Sequence, residues 1–177
     1  MTKTFIHATA AVLLAATVAQ AETVEINLID MLDNTQDGYC LDISGGQGAQ
    51  ADPANGLQGH TCYSPSGEIF VDQGFDNERF ADGQLYMPEF DVYAEVSSTE
   101  AGATVGLADC DGSAAQSFVF SGEGTIVPAS APDMCLTLAD DTRTGRSDTN
   151  QIKDLALEAC SEEGAARQTW GNRTASE

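Results

Sequence analysis

His60 is the only histidine after residue 21 of this 177-residue chain, and that count limits the chemistry available to it. A serine or cysteine nucleophile needs a base beside it, and the residues around His60 carry no nucleophile elbow or related signature. One histidine cannot supply the two ligands of a histidine-rich metal site. With 28 Asp and Glu, a carboxylate pair for glycoside hydrolysis can always be drawn, but no spacing singles one out. The run Asp33-x-Thr35-x-Asp37-Gly38 opens like a calcium loop, lacks the closing glutamate, and reads as a turn before a strand. These residue types argue against an enzyme and call for no cofactor and no metal.

The charge balance narrows the partners. Residues 1–21 have Lys3, an apolar run from Ala8 to Val18 and the ending Ala19-Gln20-Ala21, the pattern of a secretory signal peptide cut before Glu22. The run is too short for a permanent membrane helix, and no cysteine follows the cut to carry a lipid. The remaining chain, 22–177, reads as one domain with six Lys and Arg against 28 acids. Such a field repels phosphate backbones and anionic lipids, so nucleic-acid and membrane partners are not expected. Export to the periplasm or the medium follows, and the acidity reads as solubility there.

The elements that would position any site repeat three times. Cys40-Leu41-Asp42-Ile43 leads to Cys62 and then to Gln73-Gly74-Phe75. Tyr93-Ala94-Glu95-Val96 leads to Cys110 and Gln116-Ser117-Phe118; Cys135-Leu136-Thr137-Leu138 leads to Cys160 and Gln168-Thr169-Trp170. The glutamines lie 43 and 52 residues apart, which indicates internal symmetry with units at roughly 30–78, 79–121 and 122–171. Matching slots pair Cys40 with Cys62 and Cys135 with Cys160, as expected in an oxidising compartment. Cys110 is left over, because Tyr93 holds its partner's slot; burial as an inert thiol is expected over a link to another chain.

Short apolar runs such as Val24–Leu28, Phe90–Tyr93 and Phe118–Phe120 are separated by turn pairs, among them Asp37-Gly38, Asn55-Gly56 and Asp82-Gly83. Many short strands at near-regular spacing indicate an all-β barrel or sandwich. Ala101–Ala108 and Lys153–Ala159 have some helical character, but the repeat places a strand in each. Phe75, Phe118 and Trp170, one large aromatic per unit, are expected in a shared core. Gln73, Gln116 and Gln168 can satisfy backbone groups of the adjoining turns, since an amide both donates and accepts.

Three units with Cys-Leu-Asp-aliphatic, a later Leu-x-x-Cys and a closing Gln-x-Trp or Gln-x-Phe resemble the ricin B-type lectin domain over roughly residues 30–171. The resemblance implies a β-trefoil of three pseudo-symmetric repeats: twelve strands, with the motif aromatics near the axis. It also implies a shallow saccharide pocket on one or more units. An aspartate accepts from neighbouring sugar hydroxyls, a planar residue covers the pyranose face, and polar groups stand at the closing glutamine. Carried over, the first unit offers Asp42, His60, Asp72 and Gln73, with Gln58 close enough to assist. The second has Glu95 and Ala108 in those places and no stacking platform. The third has Thr137, Glu158 and Arg167 and reads as scaffold. Eleven residues separate Cys62 from Gln73, against six and eight in the other units, and this insertion around Tyr63–Gly67 can reshape or cover the first pocket.

Two functions follow as expectations for a monomeric exported protein. One is non-catalytic carbohydrate binding through the first repeat. The other is a degenerate trefoil that works as a protein-interaction or inhibitor module through its long polar loops, Gly45–Asn55 and Asp140–Asn150. An open pocket joining Asp42, His60 and Gln73 favours the first, and an insertion filling that pocket favours the second.

Overall fold

The computed structural model describes residues 22–174; the expected signal peptide lies outside the described residues. The first repeat contributes β1 (Thr23–Leu28), β2 (Tyr39–Ile43), β3 (Leu57–Thr61) and β4 (Phe75–Asp76). The second contributes β5 (Tyr86–Met87), β6 (Val92–Val96), β7 (Val105–Ala108) and β8 (Phe118–Val119). The third has β9 (Glu123–Gly124), β10 (Val127–Pro128), β11 (Met134–Leu138), β12 (Arg143–Thr144), β13 (Gln151–Lys153), β14 (Leu155–Ala159) and β15 (Trp170–Arg173). Fifteen short strands replace the twelve implied by the resemblance. The third repeat adds the β12–β13 hairpin inside its long loop, and one strand position is divided into β9, which pairs with β15, and β10, which pairs with β8. Both segments with helical character, Ala101–Ala108 and Lys153–Ala159, contain the strands the repeat demands, β7 and β14.

Each repeat is built on the same hairpin in the same register. Asp42 faces Gln58 and Cys40 faces His60 across β2–β3. Glu95 faces Gly106 and Tyr93 faces Ala108 across β6–β7; Thr137 faces Ala156 and Cys135 faces Glu158 across β11–β14. Residues of a strand alternate between faces, so Leu41 and Ile43 point into the barrel while Cys40 and Asp42 point away from it. The antiparallel pairing of β1 with β15, from Glu25 opposite Arg173 to Leu28 opposite Trp170, joins the first repeat to the third and closes the barrel.

The motif aromatics converge in the core. Phe75, Phe118 and Trp170 are buried with Ile26, Leu41, Leu85, Ile126 and Leu136 around them in one hydrophobic cluster. The single indole N–H donates to Leu136 O at 3.0 Å, so its polar atom is satisfied in an apolar setting. Each motif glutamine ends a single helical turn, over Val71–Gln73, Ala114–Gln116 and Ala165–Gln168, and the aromatic two residues later opens a strand.

The glutamines act as three equivalent clamps. Gln73 donates to Thr61 O (3.1 Å) and accepts from Tyr63 N (3.2 Å). Gln116 does the same with Asp109 O and Asp111 N, and Gln168 with Ala159 O and Ser161 N. In each repeat the second amide bond goes to the hairpin residue across the site: Asp42 at 3.0 Å, Glu95 at 3.1 Å and Thr137 at 3.0 Å. A turn and a hairpin are therefore locked together by one side chain three times over.

Cys40–Cys62 and Cys135–Cys160 are bridged, with sequence separations of 22 and 25. Closing loops of that length removes unfolded-state entropy worth about 3 kcal/mol each. Cys110 is the free cysteine, and it is exposed where burial was expected. Without a second sulfur opposite it, nothing draws this end of β7 inward. Native-state alkylation without reductant should label Cys110 alone, and peptide mapping should recover the other four cysteines as the two linked pairs. Labelling of any of those four would contradict this arrangement.

Candidate functional site

The site begins with strand alternation on β2 and β3, which places Asp42, Gln58 and His60 on one face of the first hairpin. Asp42 is 1% exposed. Its two oxygens accept from Gln58 Nε2 at 2.9 Å and Gln73 Nε2 at 3.0 Å. Burial pushes its carboxyl up to about 8, although both amides favour the ionised form; the neighbouring Asp72 raises it further. A proton on Asp42 is accommodated by turning the Gln58 amide over, because its other partner, Ser44 Oγ (3.2 Å), can accept as well as donate.

Asp72 is also sealed. It lies in the turn Val71–Gln73, against which the turn Gly48–Gln50 packs, and no protein donor bonds to either carboxylate oxygen. Burial raises its pKa; the nearby backbone N–H groups of Gly48 and Asp72, together with His60, hold it down in part. His60 is buried at one edge, and burial lowers its pKa against the opposing influence of Thr61 O and Asp72. Neutral, it donates from Nδ1 to Thr61 O at 2.9 Å, which leaves Nε2 as an acceptor.

The five residues assigned from the first repeat thus separate into two layers. Asp42, Asp72 and Gln73 form a buried floor. Gln58 and His60 reach the surface of a cleft of about 260 Å3, which they line with Gln47 and Tyr63 from the same repeat and Arg146, Asn150 and Ile152 from the third. The insertion after Cys62 supplies Tyr63, whose ring centre is 5.4 Å from that of His60 and 4.6 Å from that of Phe70. It covers the floor and adds an aromatic wall to the cleft. Tyr63 was visible in the sequence only as part of that insertion, and the cleft role of Arg146 and Asn150 had no local signal at all.

The third-repeat wall is brought in by pairing β13 with β3, Ile152 opposite His60 and Lys153 opposite Gly59. Gly59 lets β3 lie close to the core, because a Cβ at this position would sit 2.6 Å from the Leu138 side chain and force it to shift. Thr61 Oγ1 donates to Thr149 O and accepts from Gln151 N, each at 2.9 Å. The buried Lys153 ammonium donates to Asp140 O (2.8 Å) and Thr142 Oγ1 (2.7 Å) and pairs with Asp33 at 3.3 Å. Asp33 also accepts from the Tyr39 and Thr142 hydroxyls. Burial raises the Asp33 pKa, but these three donors outweigh it and bring the carboxyl down to about 2. The calcium-like run is therefore a turn whose first carboxylate is committed to the third repeat. Among the described residues, one cluster has metal-type ligands, Glu25 with Cys40 and Cys62, and its two sulfurs are bonded to each other.

A second concavity, about 310 Å3, occupies the matching place on the third repeat and is lined by Thr137, Ala156, Glu158, Arg167 and Gln168. It lacks a flat ring. Thr137 is spent on Cys135 O and Gln168, and Arg167 is held by Asp140 at 3.0 Å and Leu138 O at 2.8 Å. The second repeat has Glu95 bound to Gln116 and Ala108 in the platform position.

Three clamped hairpins around a shared aromatic core, closed by pairing the first strand with the last, define a β-trefoil. The model of the ricin-type β-trefoil lectin domain matches residues 81–176, and the chain belongs to that family. No curated protein matches it by sequence. Among solved structures it resembles the agglutinin of Abrus precatorius, with 18% identity and a TM-score of 0.56 over 86% of this chain; it spans 46% of the agglutinin chain. The β-trefoil lectin of the Vibrio vulnificus hemolysin/cytolysin, solved with N-acetyl-D-lactosamine, has 14% identity and a TM-score of 0.56, covering 90% of this chain and 98% of its own. The ricin B-like lectin of Macrolepiota procera, solved with lactose, has 15% identity and a TM-score of 0.55, covering 90% and 99%.

Proposed function

We propose that this protein binds a saccharide, without catalysing its turnover, in the cleft between the first-repeat hairpin and the third-repeat loop. One observation carries the proposal: the first-repeat cleft combines an aromatic wall, Tyr63 with His60, and an incompletely used amide, Gln58. Gln58 has one N–H and one lone pair left after bonding Asp42 and Ser44, and His60 offers Nε2. A ring face covers apolar C–H groups while these atoms meet hydroxyls, the combination a pyranose requires. Asp42 and Gln73 serve by orienting Gln58 from below. Membership of a lectin family supports the same reading, as do neighbours solved with lactose and N-acetyl-D-lactosamine.

We further propose a single exported domain, 22–177, that acts as a monomer. Two disulfides agree with an oxidising compartment, and among the described residues no helix is long and apolar enough to cross a membrane. The sealing of Asp42, Asp72 and Gln73 favours a second reading, a trefoil that meets a protein partner through its loops. A glycan array with the wild type and Tyr63→Ser decides between them. Binding that the variant loses by tenfold or more, while it still unfolds in one cooperative transition well above the assay temperature, is the expected result; silence from the wild type would leave the second reading.

A further inference from the structure

Six Lys and Arg residues are described, and five are paired with carboxylates: Arg79 with Asp82, Arg143 with Asp154, Lys153 with Asp33, Arg167 with Asp140 and Arg173 with Glu25. Arg146 alone among them has no carboxylate within 4.0 Å, although the chain carries a net charge of −21 and Asp148 lies on the same turn. In so acidic a protein an unpaired guanidinium is the anomaly. It lines the cleft opposite Gln58, His60 and Tyr63.

Its place is built by the fold. The turn is closed by Gly145 N to Asn150 O at 2.6 Å and by Asn150 N to Ser147 O at 3.0 Å, and Ser147 Oγ meets Thr149 Oγ1 at 2.9 Å. Thr61 fastens the following residues to β3, so the tip is held over the first repeat. A long side chain on such a turn presents a planar, always charged fork that matches a carboxylate or sulfate through two parallel hydrogen bonds. Its charge is felt at the Tyr63 hydroxyl. Beneath the cleft, burial pushes the Asp42 carboxyl up to about 8, which weakens the opposing negative charge.

We infer that the cleft selects acidic saccharides, with Arg146 of the third repeat taking the anionic group of a sugar whose ring lies against Tyr63 and His60 of the first. The inference rests on the saccharide-binding reading above. Long-range repulsion from the acidic surface is screened beyond about 8 Å at physiological salt, so selection falls to the one cation in contact range.

Matched pairs of probes test this in titrations with the wild type, Arg146→Gln and Tyr63→Ser: 6'-sialyllactose against lactose, a glucuronate-terminated against a glucose-terminated trisaccharide, and 6-sulfated against unsulfated galactose. The wild type should favour at least one acidic member by on the order of tenfold, the size of one charge-assisted contact, and the pair that responds tells carboxylate from sulfate. Arg146→Gln should abolish that preference, keep neutral-sugar binding and keep the melting temperature, because an exposed unpaired side chain supports nothing else. Equal binding of both members by the wild type, with loss in Tyr63→Ser, overturns the selectivity and leaves the site standing. A preference that survives Arg146→Gln also overturns it. No binding of any probe by the wild type overturns both.

Discussion

Trp170→Ala is expected to lower the unfolding free energy by about 3–5 kcal/mol, the range for truncating a large aromatic in a packed core. The indole is fully buried among side chains from all three repeats, so no single loop can collapse into the space it leaves. The loss is compounded at Leu136 O, which accepts the indole N–H at 3.0 Å and would be left buried without a donor. Urea unfolding measured beside Trp170→Phe separates the contributions: phenylalanine should recover most of the packing and none of the hydrogen bond. A cost below about 1 kcal/mol for the alanine variant would show that the residue is not the keystone of the shared core.

Asp42→Asn is expected to remove a pH dependence that the wild type carries between about pH 4 and pH 8. In the folded protein burial holds a proton on Asp42 up to about pH 8, whereas an unfolded aspartate releases it near 3.9. Within that window the native state binds more protons, so stability falls as the pH rises, at up to about 1.4 kcal/mol per pH unit. The contribution is complete below about pH 4 and gone above about pH 8. Asparagine fills the same volume without charge and bonds the same two amides once Gln58 turns over. Repulsion among the other acids grows with pH in both proteins and cancels in the difference. Urea midpoints at pH 4, 6 and 8 should converge toward low pH and separate toward high pH, with the variant the more stable at pH 8. A constant difference would mean that the carboxyl ionises in place.

The burial of Asp42 also changes what an alanine there reports. Asp42→Ala strips the acceptors from Gln58 and Gln73, each worth about 1–3 kcal/mol when left unsatisfied. Lost sugar binding in that variant would mix a damaged floor with a missing contact. Tyr63→Ser acts on the cleft surface and reads binding more directly, while Arg146→Gln reads only the preference for an acidic group.

The repeat was legible because it is written in local chemistry. A cysteine, alternating apolar residues, a turn and a Gln-x-aromatic recur in each unit, and each is a short-range requirement: strand alternation, a clamp for a turn, a ring for the axis. From them the sequence by itself determined the threefold repeat, its short strands and the cysteine pairs, whereas the trefoil and the grouping of Asp42, Gln58 and His60 came from the resemblance to the ricin B-type lectin domain. Which of those residues meets solvent was decided only in three dimensions. The insertion after Cys62 folds back and places Tyr63 beside His60, and the turn Gly48–Gln50 closes over Asp72. Thr61 binds a loop 88 to 90 residues away into the opposite wall, and Lys153 of that wall is tied to Asp33 of the first repeat. Sequence spacing encodes strand faces because their period is two, but it carries no measure of distance between repeats. Arg146, an ordinary loop arginine in the sequence, came to line the first-repeat cleft only when the third repeat packed against the first.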